Sequence, residues 1–282
     1  MKKISSPSIL QEFLNSHGMK AKKHSSQNFL IDGNIIRKIV SAAGVEKGDI
    51  VLEVGPGPGA LTQEMLAMGA TVIAVEKDTA LAAALLRLQT DDGRLQVIEQ
   101  DFLEFPLDTF FSDLLKAGQK IKVVANLPYH ITTPIISYLL PMQQHIESMT
   151  LMVQKEVAIR FVASKGTKDY SSFTIFIQHY GRVKYCFTVE PTCFYPRPTI
   201  QSAVVHFTLE KKDTIENEEA LFNLVRTSFR KRRKMMRSSL KELYPAEKVE
   251  KALTSIGVNP QARPEELSRD DFVNLHNYFL SA

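Results

Sequence analysis

Short apolar runs alternate with amphipathic stretches along the first 160 residues. The runs are rich in Val, Ile and Leu, as in buried strands, and the stretches between them repeat apolar positions with helical spacing. Strands are predicted at 50–54, 71–75, 95–98, 121–125 and 150–153, and helices at 34–43, 60–68, 79–88, 108–116, 134–140 and 155–163. Such alternation favours βαβ units, and therefore an α/β fold with a doubly wound, mostly parallel sheet.

The pattern changes in the last third of this α/β region. Residues 173–180 fit a helix or a strand equally well. Residues 184–189 and 202–209 are rich in Val, Phe and Tyr, which predicts two late strands. Since they are joined closely, we expect an antiparallel hairpin that closes one edge of the sheet.

A change in composition marks a second domain. Residues 211–219 are polar and charged, as in a linker, and beyond them helices are predicted at 220–243, 246–256 and 269–280. We therefore expect a catalytic domain at 1–210 and a small C-terminal helical domain at 211–282.

Composition and charge add little to this picture. The chain has 282 residues, 44% hydrophobic and 23% charged, and a net charge of +4. Residues 1–24 carry five lysines and two histidines against a single acid, and we interpret them as a solvated basic arm, with phosphate contact as the alternative. Cys186 and Cys193 lack metal-binding or redox spacing. No targeting segment or membrane span is recognisable, so we expect a soluble, cytoplasmic protein. We also expect a monomer without a metal site.

A glycine-rich turn follows the first predicted strand. Gly55, Gly57 and Gly59 alternate with prolines, and Ala60 completes the dinucleotide fingerprint G-x-G-x-x-G/A. Glu76 follows about 20 residues later, where it could accept hydrogen bonds from two ribose hydroxyls. On these residues alone, a nicotinamide-dependent dehydrogenase is one interpretation.

The two prolines favour a different cofactor. Pro56 and Pro58 lack the N–H groups that cradle a pyrophosphate in dinucleotide sites. S-adenosylmethionine has no phosphate and needs no such cradle. Asp101, after the third strand, adds an acceptor for an adenine amino group. The turn and its two acids together favour S-adenosylmethionine.

The strand predicted at 121–125 breaks abruptly into Asn126-Leu127-Pro128-Tyr129. Methylating the exocyclic amine of adenine requires acceptors on the amine hydrogens, because the nitrogen lone pair is delocalised into the ring. The side-chain oxygen of Asn126 and the carbonyl of Leu127 could supply them on a turn stiffened by Pro128. Tyr129 offers a face for stacking the base. We interpret this loop as a site for a flipped-out adenine.

A basic run lies in the C-terminal region. Residues 226–241 contain eight Lys or Arg and no acid: Arg226, Arg230, Lys231, Arg232, Arg233, Lys234, Arg237 and Lys241. We expect these cations on one side of a helix, with Phe229, Met235, Met236 and Leu240 on its packed side. Such a surface favours contact with RNA phosphates.

These motifs together resemble the rRNA adenine dimethyltransferase family. The matching segments are 27–32, 53–62, 126–134, 194–203 with the spacing F-x-P-x-P-x-x-x-S-A, 229–234 and 263–268. The resemblance spans about residues 20–280. It implies the S-adenosylmethionine-dependent methyltransferase fold and dimethylation of adenosines in rRNA.

The resemblance also implies roles for individual residues. The cofactor contacts would be Asn28, Leu30, Gly55, Gly57, Glu76, Asp101, Phe102 and Asn126. Asn126, Leu127 and Tyr129 would hold the target base, and Phe194 would stack on its other side. Arg230, Lys231, Arg232, Arg233, Lys234 and Arg237 would bind RNA.

Within this family, the bacterial branch that modifies two adjacent adenosines near the 3′ end of small-subunit rRNA matches best. Its substrate is a partly assembled small ribosomal subunit. His130 and the residues after it are closer to the antibiotic-resistance branch, which modifies large-subunit rRNA. That branch, and a non-catalytic assembly factor that kept the fold, are the alternatives.

Overall fold

The computed structural model describes residues 4, 6–18, 28–116, 118–210, 214–231 and 233–281. This part of the chain divides into two compact units. The first holds the described residues up to Ala158 together with Lys184–Glu210, and the second holds Ile159–Val183 together with the described residues after 210.

The strands follow the predicted order along the chain. Those of the described residues are β1 (Phe29–Leu30), β2 (Ile50–Val54), β3 (Thr71–Glu76), β4 (Leu95–Glu99), β5 (Ile121–Asn126), β6 (Ile146–Gln154), β7 (Gly181–Val189), β8 (Phe194–Tyr195) and β9 (Ser202–Leu209). Within this part of the chain, β1 and β8 form a two-stranded antiparallel sheet and the others a seven-stranded sheet. The short sheet was not predicted, since two residues are too few to show a period.

The large sheet has the order β4-β3-β2-β5-β6-β9-β7. Strands β2 to β6 of this sheet pair in parallel, and β9 pairs antiparallel with β6. The prediction of a mostly parallel, doubly wound sheet is therefore confirmed, with both late strands at one edge. The order reverses between β2 and β5, which is the place where such sheets bind ligands at the carboxyl ends of their strands.

The helices up to Phe161 precede or connect the strands. They are α1 (Pro7–Ser16), α2 (Gly33–Ala42), α3 (Ala60–Ala67), α4 (Thr79–Leu85), α5 (Leu107–Leu114), α6 (Thr132–Leu139) and α7 (Lys155–Phe161). Asp32 and Asp78 cap α2 and α4, because each carboxylate accepts hydrogen bonds from two backbone N–H groups of the first turn. Acidic caps at these positions end the preceding loops sharply and set the start of each helix.

The prediction that residues 1–24 form a solvated arm was wrong for residues 7–16, which form helix α1. Ser6 accepts a hydrogen bond from the backbone N–H of Ile9, and Pro7 occupies the first turn, which together begin a helix. Leu10, Phe13 and Leu14 are buried in one apolar cluster with Phe29, Ile31 and Leu81. The lysines that suggested the arm, Lys2, Lys3, Lys20, Lys22 and Lys23, lie outside the described residues.

The second unit is helical. It contains α8 (Ser172–Tyr180), α9 (Glu218–Phe229), α10 (Met236–Ser239), α11 (Ala246–Ser255) and α12 (Arg269–Ser281). Its core joins residues of these helices, among them Ile175, Leu221, Leu240, Leu253 and Phe272. The ambiguous stretch at 173–180 is thus a helix, and its apolar side packs in this core.

The two units do not divide at the single boundary at residue 210 that the sequence predicted. Residues 159–183 belong with the C-terminal helices, because Tyr170 and Ile175 are buried in their core. Helix α8 also begins with a capping box, in which Ser171 and Thr174 satisfy each other's backbone N–H groups. The second unit is therefore assembled from two separate segments of the chain.

The prediction of one continuous helix at 220–243 was wrong. The helix is interrupted after Phe229, and of the basic run Arg230, Lys231, Arg233 and Lys234 lie between α9 and α10. Consecutive cations repel one another along a helix, so an exposed turn accommodates them at lower cost. Phe229, Met236 and Leu240 pack in or against the core of the second unit, as the pattern predicted.

Candidate active site

The glycine turn, residues 55–59, leaves the carboxyl end of β2 and leads into α3. Gly57 and Gly59 have φ angles of 56° and 83°, a region that favours glycine. A Cβ atom on Gly59 would lie 2.7 Å from the side chains of Leu85 and Leu88, and one on Gly57 would lie 3.2 Å from the ring of Phe29. The turn therefore packs against Leu85, Leu88 and Phe29 too closely for a residue larger than glycine at either position.

Glu76 holds this turn from the neighbouring strand end. Its Oε2 accepts a hydrogen bond of 2.9 Å from the backbone N–H of Gly57, and its Oε1 accepts one of 2.9 Å from that of Asp78. Burial raises the pKa of Glu76, and the two N–H donors oppose that shift. The carboxylate predicted to bind a ribose thus also shapes the loop beside it.

Glu53 is a second buried carboxyl group at this edge, and no role was predicted for it. Its side chain is 1% exposed, and Thr62 donates a hydrogen bond of 2.6 Å to its Oε2. Burial, strengthened by the charge of Glu76, raises its pKa to about 8. An acid inside the apolar run of β2 was the sequence signal that could have identified it.

Asp101 lies beyond the end of β4. Its carboxylate accepts hydrogen bonds from the ammonium of Lys77 at 2.6 Å and from the backbone N–H of Leu103 at 3.0 Å. The Lys77 bond, with that of Leu103, holds the pKa of Asp101 below its usual range. Phe102 beside it is 5% exposed. Asp101 is thus an ionised acceptor that lines the cavity described below.

Asn126 ends β5 and begins the loop that carries the predicted chemistry. Its side-chain nitrogen donates a hydrogen bond of 3.1 Å to the carbonyl of Asn28, which leaves the Oδ1 for another partner. The backbone N–H of Leu127 donates to the carbonyl of Met152 at 3.1 Å. Both acceptor groups proposed for the amine therefore sit on a backbone anchored to neighbouring segments.

Tyr129 is held by a residue distant in sequence. Its hydroxyl lies 2.7 Å from the hydroxyl of Ser202, which is fully buried. Burial raises the pKa of Tyr129, so the phenol is neutral at physiological pH. Since Ser202 belongs to the F-x-P-x-P-x-x-x-S-A segment, two of the motifs meet here.

These residues line one cavity of about 530 Å³ in the first unit. Of the predicted site residues, it brings together Asn28, Leu30, Gly55, Gly57, Glu76, Asp101, Phe102, Asn126, Leu127 and Tyr129. Glu53, Lys77 and His130 also line it. A volume of this size suits a small-molecule cofactor.

The structure does not bring Phe194 to the cavity. Its ring is 3% exposed and packs in the core cluster that contains Leu30 and Ile36. Phe194 lies opposite Leu30 in the short sheet, so its backbone supports the cavity wall from behind. Burial of an apolar ring is favourable, so Phe194 is stabilised in the core. Sequence alone does not distinguish this placement from one in the cavity.

The predicted RNA-binding residues lie in the second unit and differ in their surroundings. Arg230 and Lys231 both approach Glu242, and Arg237 is paired with Glu250. Arg233 and Lys234 are exposed, and no ion pair is found for either among the described residues. Arg232 lies outside the described residues.

Metal-binding clusters and membrane-spanning helices are both absent from the described part of the chain. It contains no group of three or more His, Cys, Asp or Glu side chains that could hold a metal ion. None of its helices is long and apolar enough to cross a membrane.

The polar groups that line the cavity fit S-adenosylmethionine better than a dinucleotide. Glu53, Glu76 and Asp101 present carboxyl groups suited to hydroxyls, an adenine amine and positive charge. The glycine turn offers no N–H at Pro56 or Pro58, and the N–H of Gly57 is already bound to Glu76. At Pro56, Gly57 and Pro58 a pyrophosphate would thus find none of the free backbone donors that cradle it in dinucleotide sites.

The reversed strand order and the cavity at the strand ends define an α/β enzyme of the nucleotide-cofactor type. The family model for ribosomal RNA adenine dimethylase matches residues 18–280. The chain belongs to this family, and its fold is that of S-adenosylmethionine-dependent methyltransferases. A nicotinamide-dependent dehydrogenase is therefore excluded.

Individual relatives agree with this assignment. The chain is 49% identical over 279 residues to ribosomal RNA small subunit methyltransferase A of Protochlamydia amoebophila, covering 99% of this chain and 98% of the relative. It is similar to the solved dimethyladenosine transferase from Plasmodium falciparum, with a TM-score of 0.75 and 25% identity over 90% of this chain and 98% of that one. For the 23S rRNA methyltransferase ErmE the TM-score is 0.66, with 26% identity over 89% and 99% of the two chains.

Proposed function

We propose that the protein transfers methyl groups from S-adenosylmethionine to the exocyclic amines of two adjacent adenosines near the 3′ end of small-subunit rRNA. The products are N6-dimethyladenosines. The observation that carries this proposal is that Asn126, Leu127 and Tyr129 line the same cavity as Glu76 and Asp101. A loop suited to holding a base and a set of acids suited to holding the cofactor thus share one cavity.

The cofactor contacts follow from the chemistry of the lining groups. Glu76 would accept hydrogen bonds from ribose hydroxyls, Asp101 would accept one from the adenine amine, and Phe102 would pack on the adenine. Asn28, Leu30, Gly55 and Gly57 would form the remaining wall. When bound, S-adenosylmethionine supplies an activated methyl group on its sulfonium.

The target base would be held by acceptors at the end of β5. The Oδ1 of Asn126 and the carbonyl of Leu127 would accept the two amine hydrogens and direct the nitrogen lone pair towards the methyl group. These acceptors stand preorganised where positive charge develops. Tyr129, fixed by Ser202, would stack on the base, and water would take the released proton.

RNA binding is assigned to the basic run of the second unit. Arg233 and Lys234 are exposed and would contact phosphates directly. Arg230, Lys231 and Arg237 would exchange their carboxylate partners for phosphates. Such contacts position the rRNA without reading its sequence.

The biological setting is inferred from the substrate. We place the reaction on a partly assembled small ribosomal subunit in the cytoplasm, with the protein acting as a monomer in ribosome biogenesis. The identity of 49% to a protein named as a small-subunit methyltransferase, against 26% to ErmE, favours this setting over large-subunit methylation. A non-catalytic assembly factor is disfavoured because the loop and the acids Glu76 and Asp101 are all present in the cavity.

Mass spectrometry of rRNA from a strain lacking the gene tests the proposal. We expect two adjacent dimethyladenosines to disappear from small-subunit rRNA and to return on complementation. Complementation with the Asn126→Ala variant should not restore them. Unchanged small-subunit rRNA, together with a loss from large-subunit rRNA, would assign the protein to the other branch.

A further inference from the structure

Arg87 connects the glycine turn to the N-terminal helix. It follows α4 in a short 3₁₀ turn, Leu86–Leu88, and its side chain is half-buried. One terminal guanidinium nitrogen donates a hydrogen bond of 2.6 Å to the carbonyl of Pro58, and the other donates one of 2.8 Å to the carbonyl of Ala84. The same side chain thus joins the wall of the cavity to the helix behind it.

The planar face of the guanidinium is covered by the ring of Phe13, a residue of α1. The central carbon of the guanidinium lies 4.3 Å from the centre of the Phe13 ring. Such cation–π contacts are favourable and orient a guanidinium, because the ring face is electron-rich. Burial lowers the pKa of Arg87, so this position has a desolvation cost that the two carbonyls and the ring offset.

The turn needs support of this kind. Pro56 and Pro58 have no N–H to donate, so within the turn only the glycines can be fixed through backbone donors. Gly55 donates to the carbonyl of Val75 and Gly57 to Glu76. At Pro58 the carbonyl is the one backbone hydrogen-bonding group, and Arg87 holds it.

Helix α1 supports the cavity at a second point. Phe13 is buried in the apolar cluster that contains Phe29 and Leu81, and both of these line the cavity. The ring of Phe29 in turn lies against the position where Gly57 would carry a Cβ. Contacts through Arg87 and through Phe29 therefore converge on the glycine turn from α1.

We infer that Arg87 is a positioning residue for the cofactor, through which helix α1 becomes part of the methyl-donor site. The guanidinium sets the conformation of the turn at Pro58 and never touches the reacting atoms. This inference rests on the proposed cofactor. It assigns to α1, a segment that lies outside every motif of the cavity, a function in cofactor affinity.

Arg87→Met is the first variant, since it keeps the length of the side chain and removes both donors. We expect Kd and KM for S-adenosylmethionine to rise about tenfold, the effect of losing one charge-assisted hydrogen bond, with kcat at saturating cofactor within about twofold of wild type. Isothermal titration calorimetry and steady-state methyl transfer measure the two quantities independently. Arg87→Lys, which retains one donor, should recover part of the affinity.

Arg94→Met is the matched control. Arg94 is also half-buried and donates to two backbone carbonyls, those of Leu66 and Ala70, away from the glycine turn. Its loss should lower the melting temperature and leave Kd for S-adenosylmethionine unchanged. A similar rise in Kd for both variants would show that the effect is one of general stability and would overturn the inference.

Phe13→Leu keeps the test independent of how well Arg87→Met folds. It keeps an apolar side chain in the cluster and removes the ring face, and we expect a smaller rise in Kd with kcat retained. If wild type binds S-adenosylmethionine and both variants bind it equally well, Arg87 has no positioning role. If wild type itself does not bind S-adenosylmethionine, the proposed function fails instead, so the two failures are distinguishable.

Discussion

Asn126 is the residue on which the proposed chemistry depends most. Its side-chain nitrogen is bound to the carbonyl of Asn28, so its oxygen is presented from a fixed amide plane. An oxygen fixed in this way needs no reorganisation when the amine of the base becomes positively charged. Asn28 and Asn126 therefore act together, although 98 residues separate them.

Asn126→Ala should reduce methyl transfer by about 10²–10³-fold in kcat, as removal of one preorganised hydrogen-bonding group does in other enzymes. Single-turnover transfer of radiolabelled methyl groups to RNA measures this effect. Asn223→Ala, on the exposed side of α9, is the matched control and should react at the wild-type rate. An Asn126→Ala enzyme that equals the control would contradict the assigned role.

Glu53 predicts a dependence of stability on pH. Its pKa is about 8 in the folded protein and 4.5 in the unfolded chain, so between these values the folded state binds the extra proton. The contribution of this group to stability is therefore fully present below pH 4.5 and is lost as the pH rises towards 8. Glu53→Gln keeps an acceptor for Thr62 and cannot ionise.

Urea unfolding at pH 5 and pH 8 tests this prediction. Between pH 5 and pH 8, the free energy of unfolding of wild type should fall by more than that of Glu53→Gln. Glu64→Gln, on the half-buried side of α3, serves as the control substitution. Equal losses in wild type and Glu53→Gln would show that the carboxyl of Glu53 does not titrate there.

Among the elements, the glycine turn shows how closely packed the site is. Gly59→Ala introduces a Cβ atom 2.7 Å from Leu85 and Leu88 at a φ of 83°. We expect a loss of about 2–4 kcal/mol in the free energy of unfolding, from left-handed backbone strain together with overpacking. Gly93→Ala has a similar φ in open space and should cost only the strain, about 1–2 kcal/mol.

Equilibrium denaturation of the two glycine variants separates strain from overpacking. If Gly59→Ala cost no more than Gly93→Ala, the turn would have room to move, and the close contact with Leu85 and Leu88 would not constrain it.

The elements that could be predicted from the sequence are those with a regular pattern. The alternation of apolar runs and amphipathic stretches was sufficient for the parallel strands and for Glu76, Asp101 and Asn126 at their ends, since a parallel sheet collects its carboxyl ends at one edge. The pairing of β1 with β8 has no local period, and the start of α1 depends on a single cap. Phe194 was misplaced because sequence alone does not show which side of the short sheet faces the core.

On the scale of the whole molecule, the proposed RNA binding depends on the exposed cations of the second unit. If Lys234 contacts a phosphate, Lys234→Gln should weaken binding and reduce the slope of log K against log salt concentration by about 0.7–0.9. Lys251→Gln removes another exposed lysine of the same unit, on α11, and should leave the slope unchanged. Filter binding to small-subunit rRNA over a range of salt concentrations measures both slopes. Equal slopes for the two variants would remove Lys234 from the interface.

The chain as a whole combines two kinds of recognition. A cavity in the first unit holds groups suited to a cofactor and a base, and a basic turn in the second unit presents exposed cations. If the basic turn contacts only phosphates, as proposed, it does not read bases, and we expect the shape of the RNA substrate to determine which adenosines are modified.

Methyl transfer into purified small ribosomal subunits from an unmodified strain tests the central claim most directly. With S-adenosylmethionine and wild-type protein, we predict four methyl groups per subunit, located by mass spectrometry on two adjacent adenosines. Asn126→Ala should transfer at least about a hundredfold more slowly. Transfer into large subunits only, or equal transfer by wild type and Asn126→Ala, would contradict the account.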